Sequence, residues 1–117
     1  MYEYFSSIYP DDVDPEVHRE FLAAGDLKGR VVASNQQNRI CHITMQEFVR
    51  CYGATAGITA LTFLPTGGLF IAGGLTAKNI DLISDPAGPF MTTFLDKVLH
   101  LIVFCRGPSL KTLLLSM

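Results

Sequence analysis

The chain has 117 residues, 49% apolar and 17% charged, a composition that suits a packed domain and excludes a disordered segment. A formal net charge of −2 gives no basis for binding nucleic acid or an anionic membrane, so neither is expected as a partner. Met1-Tyr2-Glu3-Tyr4 lacks the basic and apolar regions of a secretory leader, and the longest apolar run, residues 98–104, is far too short to span a bilayer.

Residues 1–9 carry Tyr2, Phe5, Ile8 and Tyr9 at spacings that suit a short helix with one aromatic face, which Pro10 stops. In Asp11-Asp12-Val13-Asp14-Pro15 the acids do not alternate as calcium ligands do. Asp14-Pro15-Glu16 instead reads as an N-cap, a proline at the first helical position and an acid in the first turn. That helix is expected to reach about Ala24, with Val17, Phe21 and Leu22 as its apolar stripe and Gly25 as its end. Residues 26–38 are loop-like in composition, and residues 31–33 are too short to assign.

Cys41, Cys51 and Cys105 make an odd count without paired spacing, which points to reduced thiols in a cytoplasmic protein. Cys41-His42 has no second Cys/His pair at zinc spacing, so no metal site is expected there. Cys41 reads as a half-buried thiol beside a surface imidazole. His18, His42 and His100 have no paired acid at a suggestive spacing.

Residues 44–64 carry the strongest helical pattern. Thr44-Met45-Gln46-Glu47 fits a capping box, and Met45, Phe48, Val49, Tyr52, Ala56, Ala60 and Phe63 recur every three or four residues. Gly53 and Gly57 lie one turn apart. Each costs about 1 kcal/mol of helix propensity against alanine, which close approach of another backbone, or of a ligand, would offset. Pro65 ends this helix at Leu64.

Residues 68–72 read as a short buried strand, apolar on both faces, followed by Gly73 and Gly74 and a helix over residues 76–83 with Ile80 and Ile83 inward. Strand, glycine turn and helix start together suit a nucleotide, because glycine lets a ligand approach the backbone and a helix N-terminus presents free N–H groups. The spacing matches neither a dinucleotide fingerprint nor a P-loop: Gly74 and Leu75 stand where Lys and Ser/Thr would be. After a loop at residues 84–89, Pro89 opens a helix holding Phe90, Met91, Phe94 and Leu95. Residues 99–104 have β propensity and would be an aggregation hazard without a sheet partner.

The string Gly67-Gly68-Leu69-Phe70-Ile71-Ala72-Gly73-Gly74-Leu75-Thr76-Ala77-Lys78 closely resembles the carboxy-terminal nucleotide-binding segment of bacterial-type glucokinases. Phe90-Met91-Thr92-Thr93-Phe94-Leu95-Asp96-Lys97 is similar to the family too, as are Phe48-Val49-Arg50-Cys51-Tyr52-Gly53 and Ala56-Gly57. These enzymes belong to the actin/hexokinase/Hsp70 superfamily. The resemblance implies an α/β fold class, here the carboxy-terminal part of an actin-like ATPase (ribonuclease H-like) domain. It covers residues 1–97. Residues 98–117 depart from the family pattern and read as a divergent apolar tail arising from a frameshift, a retained intron or a truncated gene model.

The function the resemblance implies is ATP-dependent phosphorylation of D-glucose to glucose 6-phosphate in the cytoplasm. ATP and Mg2+ are the implied cofactors, ATP/ADP and glucose the partners, and a homodimer the implied assembly. The implied nucleotide-binding residues are Gly73 and Gly74, against which the nucleotide would lie, with Leu75 and Thr76 flanking its base or ribose. Gly53 and Gly57 would help the preceding helix lie close to that turn. The family's catalytic Asp, its two phosphate loops and its sugar-binding Glu-x-x-His are absent, so no catalytic residue is named and the chain alone is expected to be inactive. A different sugar kinase of the superfamily, or a non-catalytic nucleotide-binding or interaction protein, are the alternatives.

Overall fold

Asp14 and Pro15 begin a helix as their chemistry dictates. In the computed structural model, which describes residues 1–102, the Asp14 carboxylate accepts from the backbone N–H groups of Glu16 (2.9 Å) and Val17 (3.5 Å). The regular elements are α1 (Tyr2–Ile8), α2 (Pro15–Ala23), α3 (Lys28–Ser34), α4 (Arg39–Phe63), α5 (Gly74–Lys78), α6 (Ile80–Ser84) and α7 (Pro89–Ile102). Short 3-10 turns lie at Pro10–Asp12 and Gly25–Leu27. Two compact units, Met1–Phe48 and Val49–Met117, divide the chain within α4.

The first unit is built on Tyr2, Val17, Phe21, Val31, Val32, Ile40, Cys41 and Met45, all buried. Tyr2 lies 4.3 Å from Phe21, centroid to centroid. Burying large side chains of this kind contributes about 1.5–3 kcal/mol each. Leu22, expected in the stripe of α2, is exposed: the inward face runs through Val17 and Phe21, four residues apart, and Leu22 lies a further 100° round the helix. Cys41 is fully buried rather than half-buried, whereas its neighbour His42 is exposed.

α4 begins five residues before the expected start. Asn38 is its cap: its side-chain oxygen accepts from Ile40 N–H (3.0 Å) and Cys41 N–H (3.3 Å). Thr44 is therefore inside the helix, and its hydroxyl donates to the Ile40 carbonyl at 2.7 Å. The expected capping box does not form, because those backbone N–H groups already serve the helix interior. At the other end Phe63 is 76% exposed, not inward. Leu64 turns into left-handed conformation (φ +46°), and Pro65 prevents continuation.

In the second unit, α4 and α7 meet on a glycine face. A Cβ at Gly53 would overlap the Phe90 carbonyl oxygen, and one at Gly57 would lie 2.9 Å from the Phe94 carbonyl oxygen. The two glycines thus serve close backbone packing against α7, not approach to the glycine turn. Thr93 Oγ lies 2.9 Å from the Arg50 carbonyl, to which it can donate across this contact. Phe90 and Phe94 are fully buried and stack at 6.2 Å.

The expected strand at residues 68–72 is not formed. A strand takes its hydrogen bonds from a neighbour, and no described residue supplies one. No strand occurs among the described residues, so the α/β class is not what they form. The helix expected over residues 76–83 is two short ones, broken at Asn79. The Asn79 amide donates to the Leu75 carbonyl at 2.9 Å while its backbone leaves helical geometry. Residues 99–102, expected to favour β structure, continue α7. The rest of the divergent tail, with Cys105, lies outside the described residues.

Candidate functional site

The glycine turn is positioned by what ends α4. After Pro65, the Gly68 N–H donates to the Pro65 carbonyl at 3.3 Å, and Gly68 takes φ +106°. Residues 69–72 then form no regular element. Leu69 is partly buried and Ile71 is buried, while Phe70 is 57% exposed and Ala72 is exposed. The alternation is that of a strand, although the pairing is absent.

Gly73 caps α5 with φ +120° and ψ 163°, a region that essentially only glycine occupies. A Cβ added at Gly67, Gly73 or Gly74 would meet nothing within 4 Å. The backbone here is therefore open to close approach, which is the property a nucleotide site needs from glycine. α5 begins at Gly74 rather than Thr76, and its five residues stack only a short column of peptide dipoles.

Of the four residues singled out in the sequence, Gly73, Gly74 and Leu75 are exposed. Thr76 is not: it is 2% exposed, and its hydroxyl oxygen lies 3.2 Å from that of Tyr52 on α4. Tyr52 also meets Phe90 edge-on, with ring centroids 5.6 Å apart. Thr76 thus fastens α5 to α4 instead of facing outward.

Beside the turn lies a shallow groove of about 260 Å³, lined by Tyr52, Thr55, Ala56 and Thr59 of α4 and by residues 69–72. None of these side chains is charged at neutral pH. Thr55 and Thr59 donate their hydroxyl protons to the Cys51 and Thr55 carbonyls four residues back, at 2.8 and 2.9 Å. The sequence reading used Tyr52 as part of an apolar stripe and passed over Thr55 and Thr59. Their spacing of three and seven residues from Tyr52, which places them on one helical face, was the available signal.

Among the described residues no three His, Cys, Asp or Glu side chains group closely enough to hold a metal ion. Those residues alone therefore do not build a three-ligand cation site. The shifted thiol lies elsewhere: burial, reinforced by Asp14, pushes the Cys41 pKa up to about 11, which keeps it protonated and unreactive at neutral pH. No helix among the described residues is long and apolar enough to cross a membrane.

A glucokinase family model matches residues 7–106. The chain is 49% identical over 100 residues to a glucokinase of Synechocystis sp., covering 80% of this chain and 26% of that protein. It is 42% identical over 65 residues to a glucokinase of Nostoc punctiforme, covering 56% of this chain and 18% of that one. With a glucokinase of Mesorhizobium japonicum the identity is 31% over 80 residues, 68% of this chain and 22% of the relative. The chain thus spans about a quarter or less of the length of these relatives. No solved structure matches it.

Proposed function

The chain belongs to the glucokinase family, and from that premise we propose that the protein it represents catalyses ATP-dependent phosphorylation of D-glucose to glucose 6-phosphate in the cytoplasm. The family match over residues 7–106 carries this reading. The accessible backbone at Gly73 and Gly74 supports it. ATP, when bound, supplies the phosphoryl group. This chain's contribution is to hold the adenosine side, with Gly73 and Gly74 against the nucleotide and Leu75 at its edge. Thr76 acts from behind, fixing α5 through Tyr52. Positioning of this kind is a large part of phosphoryl-transfer catalysis.

The magnesium site, the base at the acceptor hydroxyl and the phosphate loops are assigned to chain beyond this segment. On the same reading residues 68–72 pair as a strand of an α/β actin-like domain in the longer protein. The homodimer of the family belongs to that protein too. Residues 1–97 are the family's carboxy-terminal region and residues 98–117 a divergent tail. The chain alone is inactive.

An amide NMR titration of the labelled chain with Mg-ADP tests the site. Shifts concentrated at Gly73, Gly74 and Leu75 are expected. Dispersed spectra in which these amides stay unmoved would remove the nucleotide assignment. Glucose-dependent ADP release by the pure chain in a coupled assay would overturn its inactivity.

A further inference from the structure

α5 and its Gly73 cap carry the residues proposed to hold the nucleotide, yet α5 has only five residues. A helix this short does not hold its own shape. The Thr76 hydroxyl gives it one anchor, on Tyr52 of α4. A single hydrogen bond is a pivot, about which a short helix can still turn. A second anchor fixes its direction, and Asn79 is placed to supply one. The residue is only 7% exposed, and buried amides are hydrogen-bonded. Its side chain makes no cap bond to α6. It turns back instead, and Nδ2 donates to the Leu75 carbonyl at 2.9 Å. The Asn79 backbone N–H lies 3.2 Å from that carbonyl and 3.2 Å from the Thr76 carbonyl. The Leu75 carbonyl thus takes two donors from one residue. On its other side, the Asn79 carbonyl accepts from the N–H groups of Leu82 and Ile83, and Ile83 is buried.

We propose that Asn79 is a positioning residue for nucleotide binding: it clamps the Leu75 carbonyl and thereby fixes the glycine turn in front of it. This role rests on the nucleotide reading of Gly73 and Gly74. The clamped peptide lies between exposed Leu75 and buried Thr76. Asn79 holds that peptide from α6, and Tyr52 holds Thr76 from α4, so α5 is fixed at two points by two elements. A site that works through backbone approach gains from such a fixed backbone, because less order has to be imposed when the ligand binds. Helix formation does not explain the residue. Asparagine is the poorer helix former, and its side chain competes for the backbone where α5 ends. Alanine would suit the helix better and would lose the clamp.

The test compares the full chain with Asn79→Ala and Asn79→Ser. Serine can donate to the carbonyl four residues back, as Thr55 and Thr59 do on α4, whereas alanine cannot. NMR takes two readings. One is solvent exchange of the Ala77 amide without nucleotide; this N–H closes α5 on the Gly73 carbonyl at 3.2 Å. The other is the Kd for Mg-ADP, from shifts at Gly73 and Gly74. Asn79→Ala is expected to speed Ala77 exchange and to weaken Mg-ADP binding about 2–10-fold, the worth of one net hydrogen bond. Asn79→Ser should return both towards the native values. The Phe94 amide is the control, since a merely structural defect would speed its exchange too and leave Kd unchanged. An alanine variant with native exchange and affinity would overturn the proposal. So would a serine variant that behaves like alanine. If Mg-ADP leaves Gly73 and Gly74 unmoved in the native chain, the nucleotide reading falls, while the Ala77 exchange rates still decide whether Asn79 fixes the turn.

Discussion

The hydroxyl oxygens of Tyr52 and Thr76 lie 3.2 Å apart, joining the middle of α4 to the helix that follows the glycine turn. α5 has only five residues and would be marginal without such an anchor. Tyr52→Phe keeps the ring contact with Phe90 and removes the bond, and Thr76→Val keeps the side-chain shape. Tyr52→Phe is expected to cost about 1–3 kcal/mol, because the buried Thr76 hydroxyl loses the Tyr52 hydroxyl. A double-mutant cycle by urea denaturation should give a coupling of at least about 0.5 kcal/mol. A coupling of zero would mean that the two hydroxyls do not depend on each other.

Gly53→Ala should destabilise the chain although alanine is the better helix former. The gain in propensity is about 1 kcal/mol. Against it stands a methyl group driven into the Phe90 carbonyl, backbone that cannot swing aside. Overpacking of this kind usually costs about 1–3 kcal/mol in net stability. Gly57→Ala meets the Phe94 carbonyl and should behave alike. Thermal melts of both variants decide it; a raised melting temperature in either would refute the tight contact.

Gly73 and Gly74 should respond oppositely to alanine. Both have open space where a Cβ would go, so sterics with neighbours are equal. Only Gly73 has positive φ, at +120°. Gly73→Ala should lose about 1–3 kcal/mol to backbone strain. Gly74→Ala should gain about 0.4–1 kcal/mol, since it restricts the unfolded chain and suits α5. Chemical denaturation of the pair checks the difference.

Cys41 should make stability fall at alkaline pH. Its folded pKa of about 11 stands above the ordinary value of 9.0. Below pH 9 the thiol is protonated in both states and contributes no slope. Between pH 9 and 11 the unfolded chain gives up its proton while the folded one keeps it, so rising pH favours unfolding. The slope is on the order of 1 kcal/mol per pH unit. The stability difference between the native chain and Cys41→Ala, flat below pH 9, should narrow across this window. A thiol reagent at neutral pH should label exposed Cys51 and leave Cys41 untouched in the folded chain.

Asn38→Ala should cost about 0.5–2 kcal/mol, the usual loss for an N-cap. If the helix began at Thr44, this substitution would be silent in a denaturation experiment.

What the sequence made legible was local. Asp14 and Pro15 mark their helix because cap and first turn lie within four residues of each other. Thr44 misled because a capping box is also compatible with a helix interior, and only the Asn38 bonds decide between them. The break at Asn79 comes from one side chain bonding the carbonyl four residues back, which apolar periodicity does not register. Residues 68–72 had the composition of a strand, but pairing is a property of two segments, and the second is not among the described residues. At the candidate site, Gly73 and Gly74 are singled out by residue type together with the resemblance of the string around them. The inward turn of Thr76 was not, since it depends on Tyr52, distant in sequence.

The two glycines of α4 carry a further consequence. Gly53 receives Phe90 and Gly57 receives Phe94, so the notches and the carbonyls that fill them advance by four residues in the same direction. The helices run parallel at this contact. A slip of one turn would set Val49 or Leu61 against a carbonyl where only glycine fits. The contact is thus keyed: it admits one alignment whatever joins the two helices. The joining stretch, residues 64–88, should accept insertions or deletions in its exposed loops without shifting α7 along α4. Its length is free to vary where the helices themselves are not.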